Sequence, residues 1–258
     1  MADEYYDEAG AQAQKRVAMT ADMRAQRQAV LARLALTRGA QVLDVGAGNG
    51  IMAQEILDIV GPDGSVSGID SSNAMVAMAK AFCPGGDFRT GSATMLPFDA
   101  AAFDAVTTAQ VLCFVEDRAA ALAEMHRVLR PGGLLVILDS DWDSLVWATH
   151  RPDLLARIVT MLTDVYASAH VPRHLSADLL MAGFEIADRA VHPLTAWSLD
   201  EDRYAGQIAT IATNMMAASD AFSAADLADW TADQDELVAS GRFMFSLNRY
   251  IFTARRPG

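Results

Sequence analysis

The period of the apolar positions changes along this chain, from helical to strand-like and back, and these changes predict its elements. From about Ala11 to residue 38, Val17, Leu31, Leu34 and Leu36 stand amid charge as in a helix. "QVLDVG" (41–46) is a short continuous apolar run, the mark of a buried strand. "IMAQEILDIV" (51–60) puts Met52, Ile56, Ile59 and Val60 on one helical face and ends at Gly61-Pro62. "SVSGID" (65–70) predicts a second strand, and "SSNAMVAMAKAF" a helix that Ser72 or Asn73 caps. "DFRTG" and "FDAVTTA" (103–109) predict strands three and four. A helix capped by Asp117 turns Leu122, Met125, Val128 and Leu129 inward, and "RPGG" (130–133) leads into the fifth strand, "LLVIL". Beyond Leu138 the rhythm loosens. Helices are expected near 153–166 and at 176–182, the latter between Ser176 and Gly183, then a strand "FEIADRAVH". Residues 200–240 read as two helices with no strand between them, and "RFMFSLNRYIFTA" (242–254) alternates as a last strand. Strands alternating with helices mean βαβ units and a parallel sheet.

Composition then narrows the picture by exclusion. The 258 residues, 52% hydrophobic and 21% charged, suffice for one large α/β domain or two small ones. No repeat, low-complexity tract or linker divides them, so one domain is expected. No apolar run is long enough to cross a bilayer, and "MADEYYDEAG" has neither the basic start nor the apolar stretch of a signal peptide. Cys83 and Cys113 show no metal-ligand or redox spacing, which favours a reduced, cytoplasmic protein. A formal net charge of −13 repels a phosphate backbone. Arg151, Arg157 and Arg173 are scattered and Arg255-Arg256 is a tail, so no basic patch overrides that field. The expected partner is a small molecule, with no nucleic acid and no membrane insertion; a homodimer stays open.

The candidate chemistry begins at "VLDVGAGNG" (42–50). Glycines directly after a strand, where a helix starts, let the backbone approach a ligand closely. A merely tight turn needs one glycine; Gly46, Gly48 and Gly50 are three. The dinucleotide fingerprint is G-x-G-x-x-G, and the position it requires next, 51, is isoleucine. Asp70, ending the second strand, suits ribose hydroxyls in either class of cofactor.

Four motifs in order, "VLDVGAGNG", "GIDSSNAM", "GSATMLPFDAAAFDAV" and "EMHRVLRPGGLLVI", resemble those of class I S-adenosylmethionine-dependent methyltransferases, particularly their small-molecule, quinone-methyltransferase-like branch. The resemblance covers about residues 40 to 139. It implies an α/β, Rossmann-like, seven-stranded, mostly parallel sheet with helices on both faces. Residues 1–258 would then be a single domain: an N-terminal helical lid (1–38), a cofactor-binding core (39–139) and a substrate-side half (140–258) with a helical insertion at about 200–240. The implied cofactor is S-adenosylmethionine, its product S-adenosylhomocysteine. The implied reaction is in-line transfer of a methyl group to a small, partly apolar organic molecule. The resemblance lays Gly46, Ala47 and Gly48 beneath the methionine and ribose and has Asp44 organise the loop and face the amino group. Asp70 takes the ribose hydroxyls, with Ser71 and Met75 at the adenine edge. Where the family often has an aspartate for the adenine amino group, Ser92 and Ala93 stand instead. Gln110 and Val111 border the sulfonium end. This cofactor has no phosphates, and no basic cradle is present.

The rest of the site is read from where strands end. "LDSDWDSLVW" (138–147) follows the fifth strand. Its Asp139, Asp141 and Asp143 suggest metal, but metal-dependent relatives need a further acid after strand four, where "TTAQVL" stands; no metal is expected. Trp142 and Trp147 are candidate pocket walls, as are Trp197, Tyr204, Met215 and Met216. Arg249, with Tyr250, is a candidate for addressing an acidic or phenolic substrate. Catalytic residues are left unknown, with His150, His170, His174 and Asp141 as candidates. An Asn/Asp-Pro-Pro-Tyr motif and a cysteine set are missing, which argues against amide or nucleobase amino groups and against arsenic as acceptors. The alternatives are a non-catalytic relative that binds an S-adenosyl compound and an NAD-dependent oxidoreductase.

Overall fold

The continuous apolar runs become the middle of one sheet in the computed structural model, which describes residues 8–258. The strands are β1 (Gln41–Val45), β2 (Ser65–Asp70), β3 (Asp87–Thr90), β4 (Phe103–Ala109), β5 (Leu129–Ser140), β6 (Val146–Trp147), β7 (Glu185–Ala196) and β8 (Phe245–Arg255). Their order is β3-β2-β1-β4-β5-β8-β6, with β7 also pairing β8. The first five run parallel; β8 is antiparallel to β5, β6 and β7. β8 pairs β5 as far as Arg249, opposite Ser140, and its start, Phe245 and Ser246, pairs β6. The two-residue β6 therefore prolongs the edge that β5 begins, and seven long strands remain. A two-residue strand has no period to read. "RPGG" does not precede β5 but interrupts it: Phe103 pairs with Leu129 and Ala105 with Leu134, so the four residues between bulge out.

The helices are α1 (Glu8–Met19), α2 (Ala21–Leu34), α3 (Ile51–Val60), α4 (Asn73–Phe82), α5 (Arg118–Val128), α6 (Pro152–Thr163), α7 (Pro172–Met181), α8 (Tyr204–Ala218) and α9 (Ala224–Ala239). Val30, Ile56, Val60 and Val76 cover one sheet face with Val42 and Val136. Leu122, Met125, Leu175 and Leu179 cover the other with Leu43 and Ile137. Adjacent strand residues thus serve opposite faces, and burying each such side chain contributes about 1.5–3 kcal/mol. The single N-terminal helix expected from periodicity is two, because Thr20 caps the second: its Oγ1 accepts from Met23 N–H at 3.4 Å and donates to the Val17 carbonyl at 2.8 Å. The helix placed at 176–182 begins four residues earlier, at Pro172, whose fixed φ suits a first turn.

A third core, the cap, gathers the helices outside the βαβ alternation against β6, the end of β7 and the start of β8. Trp142, Trp147, Leu154, Ile158, Tyr204, Ile208 and Trp230 form it, joined by Val17 and Met23 from the N-terminal helices. Ala21 N–H donates to the Asp202 carbonyl at 3.1 Å, Tyr204 N–H to Asp22 Oδ2 at 2.8 Å, and Arg203 pairs with Asp22 at 3.3 Å. The two additions outside the βαβ core therefore meet. No helix among the described residues is long and apolar enough to cross a membrane.

Candidate active site

Each glycine of "GAGNG" has its own physical reason. All three have positive φ, +77° at Gly46, +52° at Gly48 and +80° at Gly50, a region that costs other residues about 1–2 kcal/mol. A Cβ on Gly46 would sit 2.1 Å from Val111 Cγ2, and one on Gly50 2.8 Å from Ala79 Cα. Gly46 thus admits the loop after β4, and Gly50 lets α3 pack on α4. A Cβ on Gly48 would meet nothing within 4 Å. It would stand in a cavity of about 660 Å³ that opens at the carboxyl ends of β1, β2 and β4.

All eleven residues read as cofactor-binding line that cavity: Asp44, Gly46, Ala47 and Gly48; Asp70, Ser71 and Met75; Ser92 and Ala93; Gln110 and Val111. Asp44 is 3% exposed and its Oδ2 has no hydrogen-bond partner among the described residues. Burial, and secondarily the charge of Asp70, push its carboxyl up to about 7. Asp70 Oδ2 accepts from Gly48 N–H at 2.9 Å and Oδ1 from Ser72 N–H at 3.0 Å. Burial raises its carboxyl, and these N–H groups with that of Ser71 oppose the rise. Gln110 takes φ +59°, unusual outside glycine, and is pinned: its N–H donates to the Leu138 carbonyl at 2.8 Å and its Oε1 accepts from Ser140 Oγ at 2.8 Å.

The cavity continues into the cap. Trp142, Tyr204 and Arg249 line it; Trp147, Trp197 and Met215 do not. Trp147 packs on Trp230 and Phe245 and donates from Nε1 to Gln234 Oε1 at 2.8 Å, a core role. Trp197 is 69% exposed. On α8 the cavity face is Tyr204, Ile208 and Ile211, one helical stripe. Met215 packs instead against the cap core, and Met216 is buried in it. Arg249 is on the cavity while Tyr250, one strand residue on, packs in the core beneath. Sequence reasoning missed Val17, Met23, Gln26, Arg27, Phe114, Leu162 and Tyr166. Gln26 and Arg27 carried a signal, two polar residues among Met23, Val30 and Leu34 on the buried side of α2. Arg27 is held by Glu55 at 2.9 Å and by the Ala18 carbonyl.

None of the candidate catalytic residues lines the cavity. His150 Nδ1 lies 2.8 Å from Asp233 Oδ1 on the outer surface, and His174 is exposed on α7. Asp141 binds Arg173 through both oxygens, at 2.7 and 2.9 Å, with His170 Nδ1 at 3.2 Å. Burial works to raise its carboxyl, but Arg173 and His170 outweigh it and hold it low. Asp141, Asp143 and His170 have metal-ligand spacing, yet the Arg173 guanidinium spans both carboxylates at 2.6–2.9 Å. Asp139, 1% exposed, is pushed up to about 7 by burial against the pull of the Cys113 thiol and of Arg249.

Residues 43–137 match the family model described as a methyltransferase domain. The chain is 37% identical over 122 residues to demethylmenaquinone methyltransferase of Staphylococcus aureus, covering 46% of this chain and 51% of that protein. It spans about half the length of the curated relatives it matches. The fold resembles Haemonchus contortus phosphoethanolamine N-methyltransferase 2, solved with S-adenosyl-L-methionine, at TM-score 0.64 and 19% identity, over 98% of this chain and 58% of that one. It also resembles the [4+2]-cyclase SpnF, at TM-score 0.59 and 25% identity, over 91% of this chain and 81% of that one. Residues 43–137 of this chain thus match a methyltransferase domain, and their motifs and sheet order resemble those of the class I S-adenosylmethionine-dependent methyltransferases.

Proposed function

We propose that the chain transfers a methyl group from S-adenosylmethionine to a small, partly apolar organic molecule, and that residues 1–258 act as one unit in doing so. One observation carries this reading: a buried, unpartnered carboxylate and an open glycine turn share a cavity with an apolar, aromatic wall. The bound cofactor supplies an already activated methyl group on a sulfonium. Asp44 Oδ2 gives its cationic portion a counter-charge that no group among the described residues satisfies. Gly48 leaves the space that any side chain would fill. Asp70, already anchoring Gly48 and Ser72 through their N–H groups, offers its remaining lone pairs to ribose hydroxyls. Ser71, Met75, Ser92 and Ala93 border the adenine, and Gln110 and Val111 the reacting end.

The cap supplies position and dryness. Trp142, Leu162, Tyr204, Ile208 and Ile211 wall the acceptor's half, and holding reactants in attack geometry is worth about 7–11 kcal/mol. No histidine lines the cavity among the described residues. Cys113, which does, is pushed well up by burial and keeps its proton. In this reading the chain's part is orientation and exclusion of water, and the acceptor brings its own ionisation or lone pair, Glu116 and Asp117 being further acids on the cavity lining.

SpnF, of similar fold, is a [4+2]-cyclase, so a second reading is a chain that binds the S-adenosyl compound without consuming it. Incubation with S-adenosylmethionine and a panel of phenols, quinols and amines separates the two. Methyl transfer gives S-adenosylhomocysteine and methylated product in equal amounts; the second reading gives binding and neither product.

A further inference from the structure

Arg249 is a buried cation in the acceptor's half of the cavity with no ion-pair partner among the described residues. It lies on β8, between β5 and β7, and is 3% exposed. Its hydrogen-bond and ring partners among the described residues are all neutral. Nε donates to Ser140 Oγ at 3.2 Å, Nη1 reaches Gln26 Oε1 and lies 3.0 Å from Met23 Sδ, and the guanidinium carbon sits 4.7 Å from the centre of the Tyr204 ring. Nη2 has no acceptor among the described residues. Asp139, an acid that feels its field, makes no ion pair with it and meets Gln110 Nε2 at 3.5 Å instead. A guanidinium is a planar fork of five donors that matches an anionic oxygen group edge-on. Here the fork is fixed on three sides and has donors left over, in a cavity that Trp142, Leu162, Ile208 and Ile211 also wall and that Arg27, Glu116 and Asp117 line as well. The opposite end of that cavity is acidic, with Asp44 and Asp70, so an anion is drawn to Arg249 and away from the glycine turn.

We propose that the acceptor carries an anionic oxygen group, a carboxylate or an ionised phenol, on an apolar or aromatic body, and that Arg249 is the residue that selects it. The proposal rests on the methyl-transfer reading of this cavity, in which S-adenosylmethionine occupies the glycine-turn end and leaves Arg249 to the acceptor.

The test titrates the full chain, saturated with S-adenosylhomocysteine, with two matched pairs at pH 8: benzoate against benzamide, and 4-nitrophenolate against nitrobenzene. At least one anion should bind about tenfold or more tightly than its neutral partner, and the pair that shows it tells carboxylate from phenolate. Arg249→Met should bring the ratio to about one with the affinity for S-adenosylhomocysteine unchanged. Arg249→Lys, which keeps the charge without the fork, should retain part of the preference and serves if the methionine variant fails to fold. Equal binding within both pairs, no binding by either anion, or a preference that survives Arg249→Met overturns the proposal. Loss of S-adenosylhomocysteine binding in a folded Arg249→Met overturns it too, by assigning Arg249 to the cofactor's own carboxylate. Failure of the methyl-transfer reading shows earlier and separately, as wild-type protein that does not take up S-adenosylhomocysteine.

Discussion

Replacing Asp44 by asparagine separates what this residue does for binding from what it does to the fold. Its carboxyl is raised from 3.8 to about 7 by burial and by Asp70. The folded chain therefore holds a proton there that the unfolded chain loses at lower pH. The resulting penalty on stability is absent below about pH 4, grows between about pH 4 and 7, and is complete above about 7. Some three units at about 1.4 kcal/mol each set an upper bound near 4 kcal/mol. A buried amide returns part of that cost, so Asp44→Asn should stabilise the ligand-free protein at pH 8 by about 1–3 kcal/mol, or about 2–10 °C in Tm. At pH 4, where both side chains are neutral, the gain should vanish. Affinity should move the other way. Loss of a charge-assisted contact weakens S-adenosylmethionine by about ten- to a hundredfold, and wild-type affinity itself should fall as pH drops below about 7 and Asp44 takes up its proton. Thermal melts at both pH values, with calorimetric titration of the same samples, measure this. A variant that melts lower than wild type at pH 8 and binds S-adenosylmethionine equally well refutes the reasoning.

Gly48→Val should still fold, with its Cβ clear of everything within 4 Å but its φ of +52° costing about 1–2 kcal/mol and lowering Tm, and should lose cofactor binding by filling the cavity; calorimetry on the folded variant checks it. Gly50→Ala should do the reverse. Its Cβ falls 2.8 Å from Ala79 Cα and 3.1 Å from the Ala79 carbonyl oxygen, so α3 and α4 must part at a cost of about 2–4 kcal/mol, read as a lowered Tm. Asp70→Ala should weaken S-adenosylmethionine about ten- to a hundredfold, with less effect on an analogue lacking the ribose hydroxyls; equal losses count against the ribose role. Deleting residues 1–20 removes Val17 and the Thr20 cap but leaves the glycine turn, so the shortened chain should bind S-adenosylhomocysteine and lose most turnover. In the intact protein, hydrogen exchange in α1, α2 and α8 should slow when S-adenosylhomocysteine and acceptor bind together, and no added protection defeats the lid reading.

The glycine-turn half of the cavity is legible because it is local. One strand, one turn and one helix start carry Asp44, Gly46 and Gly48, and Asp70 closes the next strand in the same phase. The apolar runs named both sheet faces because Val42 and Leu43 alternate over cores filled by different helices. The cap was not legible in this way. Its wall comes from α1, α2, the turn after β5, α6 and α8, segments far apart in sequence. A helical stripe looks the same whether it faces a cavity, as Ile208 and Ile211 do, or a core, as Met216 does. Trp142 and Trp147 stand five residues apart across a tight turn, and only the first reaches the cavity. His150, His170 and Asp141 looked reactive as isolated types, but each is engaged by a charged neighbour that sequence order does not reveal. Thr20 is a readable signal of the break between α1 and α2, a capping residue inside an otherwise helical stretch.

On the proposed reading, one cavity, floored by the turn at Gly46–Gly48 and closed by Asp44 and Asp70, takes an S-adenosyl compound. Titration calorimetry of the full chain with S-adenosylmethionine, S-adenosylhomocysteine and NAD, side by side at pH 8, tests it most directly. Saturable one-site binding of the first two and no heat from the third is the expected result. Binding of NAD without binding of either S-adenosyl compound, or no binding of any of the three, would contradict it.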